Sequence, residues 1–267
     1  SGLEAIQASF LAYARLTMPG GCLVANGDDP HMAPILEQYE GRCVLFSMEK
    51  PDADYVAKPM PSDDGLPAFE IFEHGQHAGI CRLRVPGRHN VMNALAACAS
   101  ARLIGVSWDT ILHALSSFEG AKRRFEWKGE LDGVTVVDDY AHHPCEIAAT
   151  LRAAKERPFS RVVCLFQPHT YSRTKALWNE FIEALSLADL PILLDIYAAR
   201  EAPDPTVSSQ SLAQNIPKAL YAGSFEQAKQ LLQEQLRPGD LLLTMGAGDV
   251  YKVGEQLLAE QESQRQK

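Results

Sequence analysis

The sequence predicts an α/β protein whose second half is a doubly wound domain, and three observations predict it. From Gly133 onwards, short apolar runs alternate with longer helix-forming stretches, the order that builds a mostly parallel sheet. The part before it also alternates between helix and strand, but it opens in mid-pattern on a helix, as the tail of a larger domain does. The strands of the second half run into loops crowded with polar and titratable side chains, and in such sheets ligands bind beyond the carboxyl ends of the strands.

Length and composition set the outer bounds. A chain of 267 residues suits one large domain or two ordinary ones. Its apolar fraction of 46% is that of a globular protein able to bury a core. The net charge of −9 argues against nucleic acid or a membrane surface as partner, since such binders carry a basic face. It leaves room for small anions, because a few placed arginines hold a phosphate locally. The six cysteines include no Cys-x-x-Cys pair and read as reduced thiols of a cytoplasmic protein. No apolar run reaches the length of a membrane span, no signal peptide is visible, and the chain starts Ser-Gly without Met.

Leu3 to Met18 carries apolar residues at 3, 6, 10, 11 and 16, the spacing of a helix with one buried face, and Pro19-Gly20-Gly21 ends it. A strand over Cys22–Ala25 enters the turn-forming Asn26-Gly27-Asp28-Asp29-Pro30. A helix near Met32–Gln38 and a strand at Cys43–Ser47 follow. Ala68–Glu73 and His77–Val85 alternate around Gly75, as an antiparallel hairpin does. Gly87-Arg88-His89-Asn90 leads into an Ala-rich helix over Val91–Ile104, with Asn90 as its N-cap and Gly105 at its end. Ser107 caps a second helix that reaches Ser117. Phe118 to Trp127 is polar and basic and marks the boundary, dividing the chain into residues 1–121 and 122–267. Beyond it, strands are predicted at Val134–Val137, Arg161–Phe166, Pro191–Leu194, Lys218–Tyr221 and Asp240–Thr244, with helices between and after them.

The densest chemistry lies between the strand at Val134–Val137 and a helix opening at Pro144. Two carboxylates, a phenol and two imidazoles occupy the six residues from Asp138 to His143. The helix start behind them adds free N–H donors and a partial positive charge, which suits an anion. A capped turn is the plain alternative, with Asp139 accepting backbone N–H bonds and the histidines at the surface. The concentration of titratable groups favours a binding site. Three more strand ends would share its edge: Gln167 to Arg173, Asp195 to Glu201, and Gly246-Ala247-Gly248-Asp249. Arg173 suits a substrate carboxylate; the alternative has Thr174 capping a helix and Arg173 in solvent. Arg123-Arg124 can bind phosphate bidentately or serve as a solvated linker. Gly246 and Gly248 fall short of a dinucleotide fingerprint, because Tyr251 stands at the third glycine position, so they read as a tight turn. His142 and His143 lack a third ligand in sequence, and no metal site is predicted.

These stretches carry a family resemblance. Asp138-Asp139-Tyr140-Ala141-His142-His143-Pro144 resembles the C-terminal-domain signature of the Mur ligases, the ATP-dependent amide-forming enzymes of bacterial cell-wall synthesis. Val85 to Asn93, Phe118 to Glu126, Phe166 to Thr174 and Gly246 to Asp249 agree with the family, in family order. The resemblance is greatest to the branch that adds L-alanine to UDP-N-acetylmuramate. It implies that residues 1–121 are the C-terminal part of a central ATP-binding domain and residues 122–267 a Rossmann-like, amino-acid-binding C-terminal domain. It implies ATP and Mg2+ as cofactors, UDP-N-acetylmuramate and L-alanine as partners, and an acyl phosphate on the way to the amide. Carried over residue by residue, it places Asn90 at the adenine, Asp139 at the ribose and Arg124 at the phosphates, while His89 beside Asn90 can by its own chemistry hydrogen-bond the purine or the ribose. Tyr140, His142 and Arg173 then surround the amino acid, with His142 and Arg124 in catalytic roles. Many relatives have a second Arg where this chain has Thr170, which leaves more of the grip to Arg173.

One element of the family is missing. No Gly-x-x-x-x-Gly-Lys-[Ser/Thr] run occurs, so nothing here cradles the ATP phosphates in the usual way. The chain therefore reads as a portion of the ligase, inactive by itself. Two other readings stand beside it. A recycling ligase of the same family adds a peptide, and by resemblance has Glu-Pro-Arg-Ser-Asn where this chain has Gln167-Pro168-His169-Thr170-Tyr171. A nucleotide-binding or interaction module without catalysis is the other.

Overall fold

The computed structural model describes residues 2–265. It separates into two compact units, Ser1–Glu119 and Gly120–Lys267. The first runs α1 (Leu3–Ala14), β1 (Leu23–Asn26), α2 (Ala33–Leu36), β2 (Cys43–Ser47), β3 (Tyr55–Met60), β4 (Ala68–Glu73), β5 (Gln76–Arg82), α3 (Arg88–Leu103) and α4 (Trp108–Ser117). Its sheet follows chain order, β1-β2-β3-β4-β5, parallel as far as β3 and antiparallel beyond. The β4–β5 hairpin turns on His74 and Gly75, both with left-handed φ (49° and 77°), the turn hand that matches strand twist. Helix α3 supplies Leu95, Cys98 and Ala99 against Phe69 and Ile71 of β4, all fully buried.

Three sequence expectations change in this unit. Helix α1 ends at Ala14, and of its apolar positions 3, 6, 10 and 11 only Leu11 is buried. It packs mainly on the short α2, so its periodicity finds little to cover. Asn90 is not an N-cap. Gly87, at φ 97°, turns the chain into α3 from Arg88, which leaves Asn90 in the first turn with its amide donating to the Pro86 carbonyl at 2.8 Å. Strand β3 was not foreseen, because its outer half, Lys58–Met60, is exposed and holds a proline. Ser107 caps α4 as expected, accepting from Thr110 N–H.

The second unit runs β6 (Glu126–Leu131), β7 (Val134–Asp139), α5 (Pro144–Lys155), β8 (Arg161–Phe166), α6 (Tyr171–Ala176), α7 (Trp178–Leu185), β9 (Leu190–Leu194), α8 (Ser209–Gln214), β10 (Leu220–Ala222), α9 (Phe225–Gln235), β11 (Asp240–Met245) and α10 (Tyr251–Arg265). Sheet order is β10-β9-β8-β11-β7-β6, all parallel except β6. Strand β6 is an edge strand, polar and with Trp127 exposed, so it lacks the apolar run that marks a buried strand. Its hairpin with β7 turns on Asp132 and Gly133 (φ 47° and 80°). Strand β10 starts at Leu220, because Lys218 is left-handed at φ 60°.

Central strands β8, β9 and β11 are buried on both faces, as continuous apolar runs in parallel sheets are. Alternate residues feed two cores. Cys164, Phe166, Leu241, Leu243 and Met245 pack under α5, α7 and α8; Val163, Leu165 and Leu242 pack under α9 and α10. Fully burying each such leucine or phenylalanine contributes about 1.5–3 kcal/mol. Strand β11, the last to be made, lies between β7 and β8, and this insertion brings the carboxyl ends of β7, β11, β8 and β9 together along one edge.

At the opposite edge, Arg161 grips Asp240 with two bonds, Nε to Oδ1 at 2.9 Å and Nη2 to Oδ2 at 2.5 Å, and the carboxylate is 1% exposed. Arg161→Ala strands that charge and is expected to cost about 3–5 kcal/mol in urea unfolding of this unit. Arg265→Ala breaks a pair with Asp132 in which both side chains are exposed, and about 0–1 kcal/mol is expected. Equal losses for the two variants would contradict the burial argument.

Candidate functional site

Strand β7 ends on two carboxylates that the pleat sends opposite ways. Asp138, 1% exposed, accepts from Thr244 Oγ1 of β11 at 2.8 Å and from Arg123 Nε at 2.9 Å. Burial pushes its carboxyl up, and the hydroxyl and guanidinium pull it back. Asp139, 8% exposed, accepts from Ala141 N–H on Oδ1 and Phe125 N–H on Oδ2, both at 2.8 Å. These two bonds splint two loops together and use one lone pair on each oxygen, which leaves acceptor capacity for the ribose hydroxyl expected at Asp139.

The next residues form the rim. Tyr140, 39% exposed, lays its ring 4.9 Å from the Arg123 guanidinium and meets His142 edge-on at 5.3 Å. His142 Nδ1 sits 3.0 Å from the Tyr140 carbonyl and 3.5 Å from Glu146. A proton held on Nδ1 by these acceptors leaves Nε2 as the basic nitrogen. His143 takes no part in the rim: it caps α5 through Cys145 N–H, while Glu146 accepts from His143 N–H in return. Pro144 opens the helix as expected.

The β8 loop faces His142. His169 lies 5.8 Å from His142 and stacks on Tyr197 of the β9 loop at 5.6 Å. The two loops are fastened by backbone, Tyr197 N–H to the Pro168 carbonyl (2.8 Å) and Thr170 N–H to the Tyr197 carbonyl (2.9 Å). Ser172 adds two bonds to Glu201. The fastening holds Thr170 at φ 69°, a left-handed conformation that a β-branched residue rarely adopts. Thr174 is fully buried and bonds the Thr170 carbonyl, so it does not cap α6, and Arg173 is drawn partly inside. Three buried atoms of this loop have no partner among the described residues: Gln167 Oε1, His169 Nδ1 and Arg173 Nη1. Unpaired buried polar atoms are rare enough to mark a ligand site, and donors with an acceptor suit the two ends of an amino acid.

The glycine turn after β11 is packing, as the sequence suggested. A Cβ on Gly246 would lie 2.8 Å from the Gln167 carbonyl, and one on Gly248 2.6 Å from Gln167 Oε1. Of the neighbouring arginines, Arg124 is exposed, and its guanidinium makes no hydrogen bond among the described residues. Arg123 is held inside, against Asp138, the Gly246 carbonyl and the rings of Tyr140 and Tyr251. Sequence reading named Arg123 only as half of a phosphate-binding pair and His169 only as one polar residue of its loop, and it did not single out Gln167 or Tyr197; the crowding of polar residues at the strand ends was the signal for them.

Arg124, Asp139, Tyr140, His142 and Arg173 thus share the carboxyl edge of the second sheet. His89 and Asn90 lie in the first unit, at the start of α3. His89 is exposed, and Asn90 is half-buried with its Oδ1 accepting from Asn93 at 3.2 Å. The Asn90 amide retains one N–H and a carbonyl lone pair, enough for a base edge. Among the described residues no group of three or more His, Cys, Asp or Glu could hold a metal ion, and no helix is long and apolar enough to cross a membrane.

Comparison with known proteins places this architecture. A model of the Mur ligase middle domain matches residues 2–101, and one of the Mur ligase glutamate ligase domain matches residues 123–248. The chain belongs to the Mur ligase family. UDP-N-acetylmuramate–L-alanine ligase of Clostridium novyi (strain NT) is 45% identical over 259 residues, 95% of this chain and 56% of that protein. The ligase of the same name from Caldanaerobacter subterraneus is 43% identical, over 97% of this chain and 57% of the relative. The crystal structure of the alanine ligase MurC from Thermotoga maritima superposes with a TM-score of 0.78, at 24% identity, over 99% of this chain and 56% of that one. This Mur ligase chain therefore spans about half the length of the relatives it matches.

His169 gives this edge a pH signature. Burial lowers its pKa, and the nearby Arg173 and His142 lower it further. A depressed histidine contributes stability above the ordinary imidazole value of about 6.5, and that stability is lost as pH falls through the folded value. In an NMR titration His169 is expected to charge below that ordinary value, and Arg173→Ala to raise its midpoint by removing a like charge. A midpoint that Arg173→Ala leaves in place would show that the two side chains do not interact.

Proposed function

We propose that this chain is the adenine-contacting and amino-acid-binding portion of an ATP-dependent ligase that joins L-alanine to UDP-N-acetylmuramate. The observation that carries the reading is the similarity of nearly the whole chain, at 43–45% identity, to relatives of that name. The chemistry this implies begins with the lactyl carboxylate of UDP-N-acetylmuramate taking the γ-phosphoryl group of ATP. The amine of L-alanine then attacks the acyl phosphate, and phosphate leaves. Positioning and charge neutralisation supply most of the acceleration in such reactions.

Each residue has a part that its geometry suits. Arg124, exposed and with no hydrogen bond to its guanidinium among the described residues, faces the phosphates. Arg173 Nη1 and His169 Nδ1, buried and unpaired, take the carboxylate of L-alanine. His142, its Nδ1 engaged by the Tyr140 carbonyl, receives the proton of the attacking amine on Nε2. Tyr140 walls the amino acid beside it. In the first unit, Asn90 and His89 meet the adenine. Mg2+ enters only as the companion of ATP, neutralising phosphate charge, and no residue of this chain is assigned to it.

Two outcomes follow. The purified chain given ATP, UDP-N-acetylmuramate and L-alanine is expected to release no phosphate above background, since its sequence has no phosphate-cradling Gly-Lys loop; release would overturn the portion reading. In the complete ligase, Arg173→Ala is expected to raise KM for L-alanine on the order of ten- to a hundredfold, because a hydrogen bond to a charged group contributes about 1.5–3 kcal/mol. KM for ATP should stay near its original value, and equal rises for both substrates would assign Arg173 a structural part.

A further inference from the structure

Arg124 is presented by a tripeptide that ordinary backbone preference opposes. Its neighbours Arg123 and Phe125 both adopt left-handed φ, 59° and 48°. Backbone bonds hold this shape from several sides. Arg123 N–H donates to Glu126 Oε2 at 2.7 Å, Arg124 N–H to the Ala121 carbonyl at 3.1 Å, and Phe125 N–H to Asp139 Oδ2 at 2.8 Å. Tyr140 N–H donates to the Arg123 carbonyl at 2.7 Å.

The Arg123 side chain completes the arrangement. Nε donates to Asp138 at 2.9 Å and Nη2 to the Gly246 carbonyl at 2.7 Å, so one guanidinium joins the ends of β7 and β11. The rings of Tyr140 and Tyr251 lie 4.9 and 4.7 Å from its central carbon. Two directed bonds and two aromatic faces occupy this group, whereas the adjacent Arg124 is exposed and its guanidinium makes no hydrogen bond among the described residues. A planar fork is needed for this; a lysine ammonium supplies the charge for Asp138 but neither the stacking plane nor the fixed pair of bonds.

We propose that Arg123 is a positioning residue for the ligation reaction: it locks the left-handed turn to the sheet edge and so aims Arg124 at the ATP phosphates. The proposal rests on the phosphate role given to Arg124 above. The Arg123 guanidinium, engaged by Asp138 and the Gly246 carbonyl, acts in this reading through Arg124.

A double-mutant cycle in the complete ligase tests it. Arg123→Lys is expected to lower kcat/KM for ATP tenfold or more when Arg124 is present, and less than twofold in an Arg124→Ala background. A merely structural role would give the same factor in both backgrounds, and that result, or no loss at all, would overturn the proposal. If Arg124→Ala alone leaves ATP kinetics unchanged, the phosphate reading of Arg124 falls and this inference falls with it. Equal factors sink the inference alone. Should Arg123→Lys fail to fold, Arg123→Gln combined with Asp138→Asn removes the buried charge pair as a unit, and the cycle is run on that variant with the same expected factors.

Discussion

A carboxylate with 1% exposure stands one residue before the end of β7, at the middle of the candidate site, and much of the local structure is arranged around it. A charge at Asp138 without partners would cost several kcal/mol in a medium of low dielectric. Thr244 and Arg123 meet its two oxygens, one from the neighbouring strand and one from the segment before the domain's first strand. Satisfying Asp138 therefore brings the chain entry, the end of β7 and the end of β11 to one point. Tyr140 and Tyr251 then close over the guanidinium. The adjacent Asp139, turned the other way by the pleat, splints the same entry segment through Phe125 N–H.

The side of the candidate site that holds His169 and Arg173 is built on a different principle. There the β8 and β9 loops pair through backbone bonds, and the pairing forces Thr170 into a left-handed conformation. The glycines after β11 allow the turn to pass within contact of Gln167 and Tyr197, where a methyl group would collide. Rigid backbone on both sides holds His169 and Arg173 with buried polar atoms unpaired. Such atoms are costly unless a ligand meets them, so they mark a candidate ligand position more sharply than the polar character of the loops does.

Much of this was legible from the sequence. The strands at Arg161–Phe166 and Cys43–Ser47 and the cap at Ser107 follow from apolar runs and local hydrogen bonding, both encoded within a few residues. The polar strand ends were visible because titratable side chains there are dense. Strand β6 was not legible: an edge strand shares only one ladder with the sheet and carries polar residues. Helix α1 misled in the opposite sense, since its apolar spacing promised a buried face that the packing does not provide. Asn90 has the chemistry of a cap, yet Gly87 starts the helix earlier, because a positive φ is a property that glycine reaches most cheaply.

By itself, then, the sequence determined the alternating elements, the parallel second sheet and the candidate edge, because these depend on periodicity and residue type. It also carried the family motifs. Which member of a pair of like residues does what was decided only by tertiary structure. Arg123 and Arg124 are the same residue side by side, and so are Asp138 and Asp139. Their fates diverge because β11 inserts between β7 and β8 and sets Thr244 and Gly246 beside one of each pair. That contact joins residues more than a hundred positions apart, and no local signal announces it.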